Sequence, residues 1–304
     1  MVGWGAPWDM TSLPFEVVAV FGPTASGKTA VSEILAAALG TEVVSADALQ
    51  VYRGLPILTN QPESSTRLVA IRDLSQEFSV GEYARLAHDE IDDLVRTTGV
   101  AAVSGGTGLY LRAALVDLEL PPAAEPGAHE RWEALYDRDP DATYARLTEL
   151  DPIAAAIIHR NDRRRVIRAL ELAERGRSLV PARNRLWSTE TRRPTLVVGL
   201  ELPRDRLEER IRTRIETMIA RGVVDEVRRA LAGEISRTAH KALGLQELAD
   251  LPPEIAQDRL VVRTRRYAAY QRKWMRRIDS IVMIEGDRPP EEVASEILGL
   301  VRAR

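Results

Sequence analysis

Residues Gly22-Pro23-Thr24-Ala25-Ser26-Gly27-Lys28-Thr29 have the types and spacing of a phosphate-binding loop, G-x-x-x-x-G-K-[ST]. In such a loop the backbone amides face a concavity at a helix N-terminus, where the helix dipole favours an anion. Lys28 adds a full positive charge, and the Thr29 hydroxyl is a ligand type suited to Mg²⁺. A Gly-rich turn entering a helix would account for the glycines but not for Lys-Thr. The loop names a ligand class and not a reaction. Two further groups follow in the same region. Asp47 follows the apolar run 42–45, and Thr107 follows Gly105-Gly106. A carboxylate there is suited to take a proton, or to stand on the Mg²⁺ side of a small-molecule kinase. The bland alternatives are a helix cap for Asp47 and a turn or N-cap residue for Thr107.

These groups require elements that bring them together. Residues 16–21 read as a strand and 28–39 as a helix. Residues 42–45 read as a second strand, 80–97 as a helix with apolar residues at helical spacing, 100–104 as a third strand, and 109–116 as a helix. Alternating strands and helices with apolar strands imply a parallel sheet covered on both faces. In such a sheet ligands bind outside the carboxyl ends of the strands. Lys28 with Thr29, Asp47 and Thr107 each follow a strand, so one site is expected to hold them all. The fold class expected is therefore α/β, a P-loop NTPase-like parallel sheet flanked by helices.

The pattern changes at the Pro-rich stretch 120–126, which reads as a linker. Residues 129–138, 141–150, 153–159 and 162–175 are helical in pattern, with no strand signal between them. A strand returns at 194–201, followed by helices at 205–220, 224–231 and 252–277, a strand at 281–284 and a helix at 290–301. The expected organisation is an N-terminal tail over 1–14, a catalytic core of 15–120 with 190–304, and an all-helical inserted module over 121–189.

Composition narrows the class. The 304 residues carry a net charge of −3 and no cysteine. Disulfides, zinc-thiolate sites and thiol catalysis are excluded. No apolar run approaches the ~20 residues of a membrane helix, and the start lacks a signal-peptide pattern. A cytoplasmic protein is expected, with no membrane contact and no obligate protein partner implied. Charge is nevertheless clustered. Between Arg259 and Arg277 stand eight basic residues and no acidic one, and a second arginine-rich stretch runs from Arg160 to Arg193. Together they point to a local polyanionic partner such as nucleic acid. A solvated surface is the plainer reading for any single arginine, including Arg164, Arg165 and Arg168. Trp274, at helical spacing from Tyr267 and Tyr270, reads as core.

Several words fall in a telling order: the phosphate loop, Ser45-Ala46-Asp47-Ala48-Leu49-Gln50 with Tyr52-Arg53-Gly54, Thr59-Asn60-Gln61-Pro62, and Gly105-Gly106-Thr107-Gly108-Leu109-Tyr110. Then come Ile158-His159-Arg160-Asn161-Asp162, Arg165-Val166-Ile167-Arg168, Ala242-Leu243-Gly244-Leu245-Gln246-Glu247 and Thr264-Arg265-Arg266-Tyr267-Ala268. This succession, spread over residues 16–300, resembles the bacterial tRNA dimethylallyltransferase family.

The resemblance implies transfer of a dimethylallyl group from dimethylallyl diphosphate to N6 of adenosine 37, in tRNAs reading codons that begin with U. It implies Mg²⁺ as cofactor, held by Thr29, and the anticodon stem-loop as the bound part of the tRNA. Catalytic roles fall to Asp47 as general base, Thr107 and Lys28, with residues 22–29 on the diphosphate. Asp47, Ala48, Leu49 and Gln50 with Thr107 would receive the extruded base, and His129, Arg164, Arg165 and Arg168 would grip the tRNA. This chain departs from the family pattern in carrying Leu245-Gln246 where an aromatic and a basic residue are usual, with Lys241 the nearby cation. It also has Ala269-Tyr270 in place of a basic pair and Gln61 in place of a lysine. Three other readings stay open: an adenylate isopentenyltransferase acting on free nucleotide, a small-molecule P-loop kinase, and a noncatalytic RNA-binding protein.

Overall fold

The computed structural model describes residues 13–122, 125, 127–181 and 185–303. Residues 1–12, which hold most of the expected tail, lie outside the described residues, as do 123, 124 and 126 of the expected linker. The chain divides into two compact units, Met1–Leu118 with Leu186–Arg304, and Glu119–Arg185.

The first unit is built on one parallel sheet. Strand β1 (Val17–Phe21) is buried throughout and leads through the phosphate loop into α1 (Lys28–Leu39). β2 (Val43–Ser45), α2 (Pro56–Thr59), β3 (Thr66–Arg67), α3 (Val80–Thr98), β4 (Ala101–Gly105) and α4 (Gly108–Leu115) follow. The six strands, counting β5 (Thr195–Glu201) and β6 (Ile281–Glu285), stand in the order β3-β2-β4-β1-β5-β6, all parallel. β1 runs in register with its neighbours, Phe21 opposite Gly105 on one side and Gly199 on the other. The phosphate loop and the Gly-Gly-Thr loop therefore leave the sheet side by side. Val and Ile fill these strands because both faces are covered, and β-branched side chains suit a packed sheet.

The helices form two cores within this unit. Val18, Val20, Leu35, Leu196 and Val198 pack with Val293 and Ile297 of the last helix, Pro290–Ala303. A second core joins Leu207, Ile211 and Ile215 to Val223, Val227, Leu245 and Leu260. These lie on Arg204–Ala220, Val223–Leu231, Leu245–Asp250 and Pro253–Met275.

The second unit is all-helical: α5 (Ala128–Arg138), α6 (Pro140–Leu150), α7 (Pro152–Ile157) and α8 (Arg163–Ala173). Its breaks are written in the sequence as Asp-Pro. Asp139 and Asp151 accept from the amides of Ala142 (2.9 Å) and Ala154 (3.0 Å), with proline at the next position. Such a cap and a proline at the first helical turn each favour a start there. Trp132, Tyr136, Leu147, Val166, Ile167 and Leu170 fill its core. In chain order the remaining helices are α9 (Arg204–Ala220), α10 (Val223–Leu231), α11 (Leu245–Asp250), α12 (Pro253–Met275) and α13 (Pro290–Ala303).

The sequence reading misses α2, β3 and α11. Each has six residues or fewer, too short to show a period. α2 owes its place to a distant group: the buried carboxylate of Glu226 accepts from the amides of Ile57 (2.9 Å) and Leu58 (2.8 Å). Among the described residues no helix is long and apolar enough to cross a membrane.

Candidate active site

A cavity of about 850 Å³ opens at the carboxyl ends of the strands, with Thr24, Lys28, Thr29, Asp47 and Gln50 on one side and Arg210, Arg214, Tyr267 and Gln271 on the other. The volume suits a small phosphorylated molecule together with a base-sized group.

The phosphate loop is shaped by its backbone. Ala25 (φ 64°) and Gly27 (φ 87°) both adopt left-handed geometry, which turns successive amides into an anion-binding nest. The structure divides these amides by task. Those of Gly22, Thr24 and Ser26 donate within the protein, to Gly105 O, Gln271 Oε1 and Pro23 O. The amides of Gly27, Lys28 and Thr29, at the start of α1, make no hydrogen bond among the described residues. Pro23 and Ser26 are buried beneath the loop. Ser26 stands 2.6 Å from where a Cβ on Gly22 would be, so Gly22 admits no side chain.

Two cations in the cavity lack an ion pair among the described residues. Lys28 donates only to Pro23 O, at 3.4 Å. Arg214, on α9, donates to the hydroxyl of Thr24 at 2.8 Å. Burial and the Arg214 guanidinium pull the Lys28 ammonium down to about 8, against the Asp47 carboxylate, which pulls it up. Burial likewise lowers the basicity of Arg214. Two close cations without carboxylate partners cost free energy in an empty site and recover it when an anion binds. Arg210 and Arg206 also reach the cavity, but Asp287 holds both, at 2.9 and 3.0 Å.

Asp47 follows β2, and its Oδ1 accepts from the amide of Leu49 at 2.9 Å. That bond is the turn-capping role of the plainer reading. It also fixes the carboxylate, and leaves Oδ2 without a hydrogen bond among the described residues. Leu49 and Gln50 line the cavity as well, whereas Ala48 is not among its lining residues. Gln50 accepts from Ser45 Oγ at 2.8 Å and donates to Asn60 O at 2.8 Å, so its amide is held rigidly.

Thr107 caps α4 by position, yet its side chain makes no capping bond. Its hydroxyl instead meets the phenol of Tyr267 at 3.3 Å. Burial first, and then Asp47, push that phenol up to about 12. Thr107 does not itself line the cavity; Tyr267 and Gly105 beside it do.

Gln271 is the residue that sequence reasoning missed most completely. It is 2 % exposed. Its Oε1 accepts from Thr24 N at 2.8 Å and its Nε2 donates to Gly106 O at 2.7 Å. One amide side chain thus clamps the phosphate loop to the Gly-Gly-Thr loop. Gly106 is glycine because a Cβ there would stand 2.3 Å from Gln271 Nε2. Gly105 is glycine because a Cβ would stand 2.3 Å from Ala46 O.

Several departures from the family pattern find structural roles. Leu245 is wholly buried in the second core. Gln61 donates to Tyr52 O at 2.7 Å and Gln50 O at 3.1 Å. Lys241 lines the cavity. Trp274 corrects the expectation of a core residue: it is half-buried, and Tyr270 on the same helix is 56 % exposed.

The predicted grip residues lie in the second unit, on α5 and α8. His129 Nδ1 bonds Glu171 at 2.6 Å, and Arg168 donates to the same carboxylate at 2.7 Å and to Pro122 O. Glu171 is 3 % exposed, so Arg168 neutralises a buried charge and His129 is spent on a hydrogen bond to it. Arg164 and Arg165 differ: both are exposed, and their side chains make no ion pair among the described residues.

Comparison with known proteins gives one family. The chain matches IPP transferase over residues 50–278 and isopentenyl transferase over residues 15–72. It is 35% identical to the tRNA dimethylallyltransferase of Corynebacterium jeikeium, over 96% of this chain and 98% of that one. It is 39% identical to that of Streptomyces coelicolor, over 89% and 90%. The crystal structure of the tRNA isopentenylpyrophosphate transferase of Bacillus halodurans superposes with a TM-score of 0.66, at 32% identity over 94% of this chain and 96% of that one. On its sequence, its parallel sheet and its phosphate loop alike, the chain belongs to the IPP transferase family.

Proposed function

We propose that this protein acts in the cytoplasm and transfers the dimethylallyl group of dimethylallyl diphosphate to N6 of adenosine 37. Its substrates are tRNAs reading codons that begin with U, and its product is N6-isopentenyladenosine. The observation that carries the reading is the pair of cations without carboxylate partners, Lys28 and Arg214, facing Asp47 across one cavity in a chain of this family.

The C1–O bond of the donor breaks with its electron pair leaving on the diphosphate, while the N6 lone pair forms the new C–N bond. Charge that builds on the diphosphate meets Lys28, Arg214 and the amides of Gly27, Lys28 and Thr29. Fixed donors of this kind need no reorganisation as the charge develops. An exocyclic adenine amine is a weak nucleophile because its lone pair is delocalised into the ring. As it attacks, its proton passes to Asp47, whose Oδ2 is open and whose Oδ1 is pinned by Leu49 N. Tyr267 lines the cavity, with the Thr107 hydroxyl bonded to its phenol from outside the lining. The target base enters the cavity extruded from its loop, since a stacked base is out of reach, and Leu49 with Gln50 lines its path.

Mg²⁺ fits this site in a limited way. The described residues hold no cluster of three or more acidic or histidine ligands. Thr29 offers a hydroxyl at the cavity wall, and Mg²⁺ accepts such a sparse protein set when substrate phosphates and waters complete its shell. Bound there, it would neutralise charge on the leaving diphosphate.

The test is single-turnover transfer from radiolabelled dimethylallyl diphosphate, with unmodified tRNA carrying adenosines 36 and 37, free AMP or ADP, and ATP offered in parallel. Label on tRNA alone is expected, and Asp47→Asn is expected to slow it by roughly 10²–10⁴-fold with tRNA binding kept. Label on the free nucleotide, or phosphate released from ATP with no prenyl transfer, would overturn the proposal.

A further inference from the structure

We propose that Trp187 and Trp274 form a platform on which an unpaired nucleobase next to the target adenosine stacks. This rests on the RNA-modifying reading above and extends it to the neighbouring nucleotide.

The two indoles lie 4.8 Å apart between ring centroids, tilted by 39°. Tyr270 meets Trp274 edge-on at 6.5 Å. The Arg277 guanidinium lies over the Trp187 ring at 5.0 Å. None of the three aromatic side chains is buried. Large aromatic surface left partly in water, in a chain with only 5% aromatic residues, is the less common outcome of folding and marks binding surface.

The platform is fixed to the site. Trp274 packs so tightly on Gly108 that a Cβ there would lie 2.3 Å from its ring. Gly108 follows Thr107, whose hydroxyl meets the cavity-lining Tyr267. Trp274 therefore sits against the residue that follows Thr107, one hydrogen bond from the cavity-lining Tyr267.

Trp187 is held by an unusual device. Arg112, on α4, is 1 % exposed. It donates through Nε to Leu186 O and through Nη2 to Ser188 O, both at 2.7 Å. A buried guanidinium thus grips the carbonyls on either side of Trp187. Burial lowers its basicity, and such a cost is sustained where a rigid geometry is needed. Arg112 is a positioning residue in this account.

The charge nearby selects the occupant. Of the eight basic residues between Arg259 and Arg277, Arg263, Arg265 and Arg272 are held by Glu247, Glu208 and Glu201. Arg266, Lys273 and Arg276 are exposed and make no ion pair among the described residues. Half-exposed aromatic side chains on a helix that also carries unpaired cations suit a single-stranded nucleic acid, with bases stacked and phosphates on the cations.

The test compares the wild type with Trp187→Ala and Trp187→Leu, using an RNA hairpin with an anticodon loop and two versions made abasic on the 5′ or the 3′ side of the target adenosine. Binding is followed by anisotropy of a labelled hairpin, and turnover by prenyl transfer. Both variants are expected to weaken hairpin binding and raise its KM by ~5–150-fold, the range of one base–aromatic stack, with the donor KM unmoved. The penalty is expected to vanish on one abasic hairpin and to persist on the other. Binding of the intact hairpin is also expected to quench the fluorescence that Trp187→Phe removes. An equal penalty on all three hairpins, an unchanged hairpin KM, or an unquenched Trp187 would overturn the platform. Failure of the wild type to prenylate any hairpin would instead overturn the proposed function and leave the binding result to stand by itself.

Discussion

Replacing Gln271 with leucine removes one side chain and strands two backbone groups. Thr24 N–H loses its acceptor at 2.8 Å and Gly106 O its donor at 2.7 Å, at a position 2 % exposed. A buried polar group left without a partner costs about 1–3 kcal/mol, so the two together cost about 2–6 kcal/mol. Leucine returns part of this. The glutamine stem is already out of water, so the gain is about that of one further methylene, ~0.8 kcal/mol. The net loss expected for Gln271→Leu is about 1–5 kcal/mol, read from urea unfolding. Gln271→Glu separates the two bonds. Its carboxylate still accepts from Thr24 N but repels Gly106 O, so the folded state favours the protonated acid and raises its pKa. A group whose folded pKa is raised contributes stability at low pH that is lost as pH rises through that value. The deficit of Gln271→Glu relative to wild type is therefore expected to shrink below the unfolded glutamate value of about 4.3 and to be full at neutral pH. Both variants are expected to raise the KM of the diphosphate donor, because the clamp holds the phosphate loop. A Gln271→Leu protein with wild-type urea midpoint and donor KM would refute the clamp. A Gln271→Glu deficit independent of pH would refute the assignment of its donor and acceptor ends.

The remaining predictions concern charge and space. Lys28, drawn down to about 8, is charged below that pH, so kcat/KM for the donor is expected to fall above it. Arg214→Gln moves that limb to higher pH and Asp47→Asn to lower pH, because the first group depresses the ammonium and the second raises it; a limb that moves with neither removes Lys28 from the diphosphate. In the unliganded protein the same depression makes folding stability rise with pH between about 8 and the unfolded value of about 10.4. Neutralising Arg164 and Arg165 is expected to lower the slope of log K against log salt for tRNA by about 1.4–1.8 with stability kept. Arg168→Met is expected to destabilise the helical unit, since it half-uncovers the buried charge of Glu171; equal stability losses for all three arginines, measured by urea unfolding, would erase the distinction. Gly106→Ala is expected to cost about 1–3 kcal/mol of stability by overpacking, and an unchanged urea midpoint would mean that Gln271 moves aside freely.

Half of the candidate site is legible because it is local. Lys28, Asp47 and the Gly-Gly-Thr loop each follow a strand within a few residues, and β1, β2 and β4 are neighbours through β4. Strand–helix alternation then suffices to bring the three loops to one end of the sheet. The other half comes from α9 and α12. Arg214 and Gln271 reach Thr24 across 190 and 247 positions. A helical period shows which residues share a face but not which loop that face meets, and Gln271 is one polar residue among many on an arginine-rich helix. The error over Trp274 has the same origin, since aromatic spacing on α12 does not say that one side of the helix stays in water. Arg168 was separable in principle, because Glu171 stands three residues on, at the spacing of a helical pair. What the sequence hides is that Glu171 is buried, and burial decides whether an arginine is spent inside the fold or left for a partner. The same test sorts the cations of the first unit: Arg206 and Arg210 are spent on Asp287, whereas Lys28 and Arg214 make no ion pair among the described residues. Chemistry on a diphosphate needs cations of the second kind, and a sequence supplies their number without saying which they are.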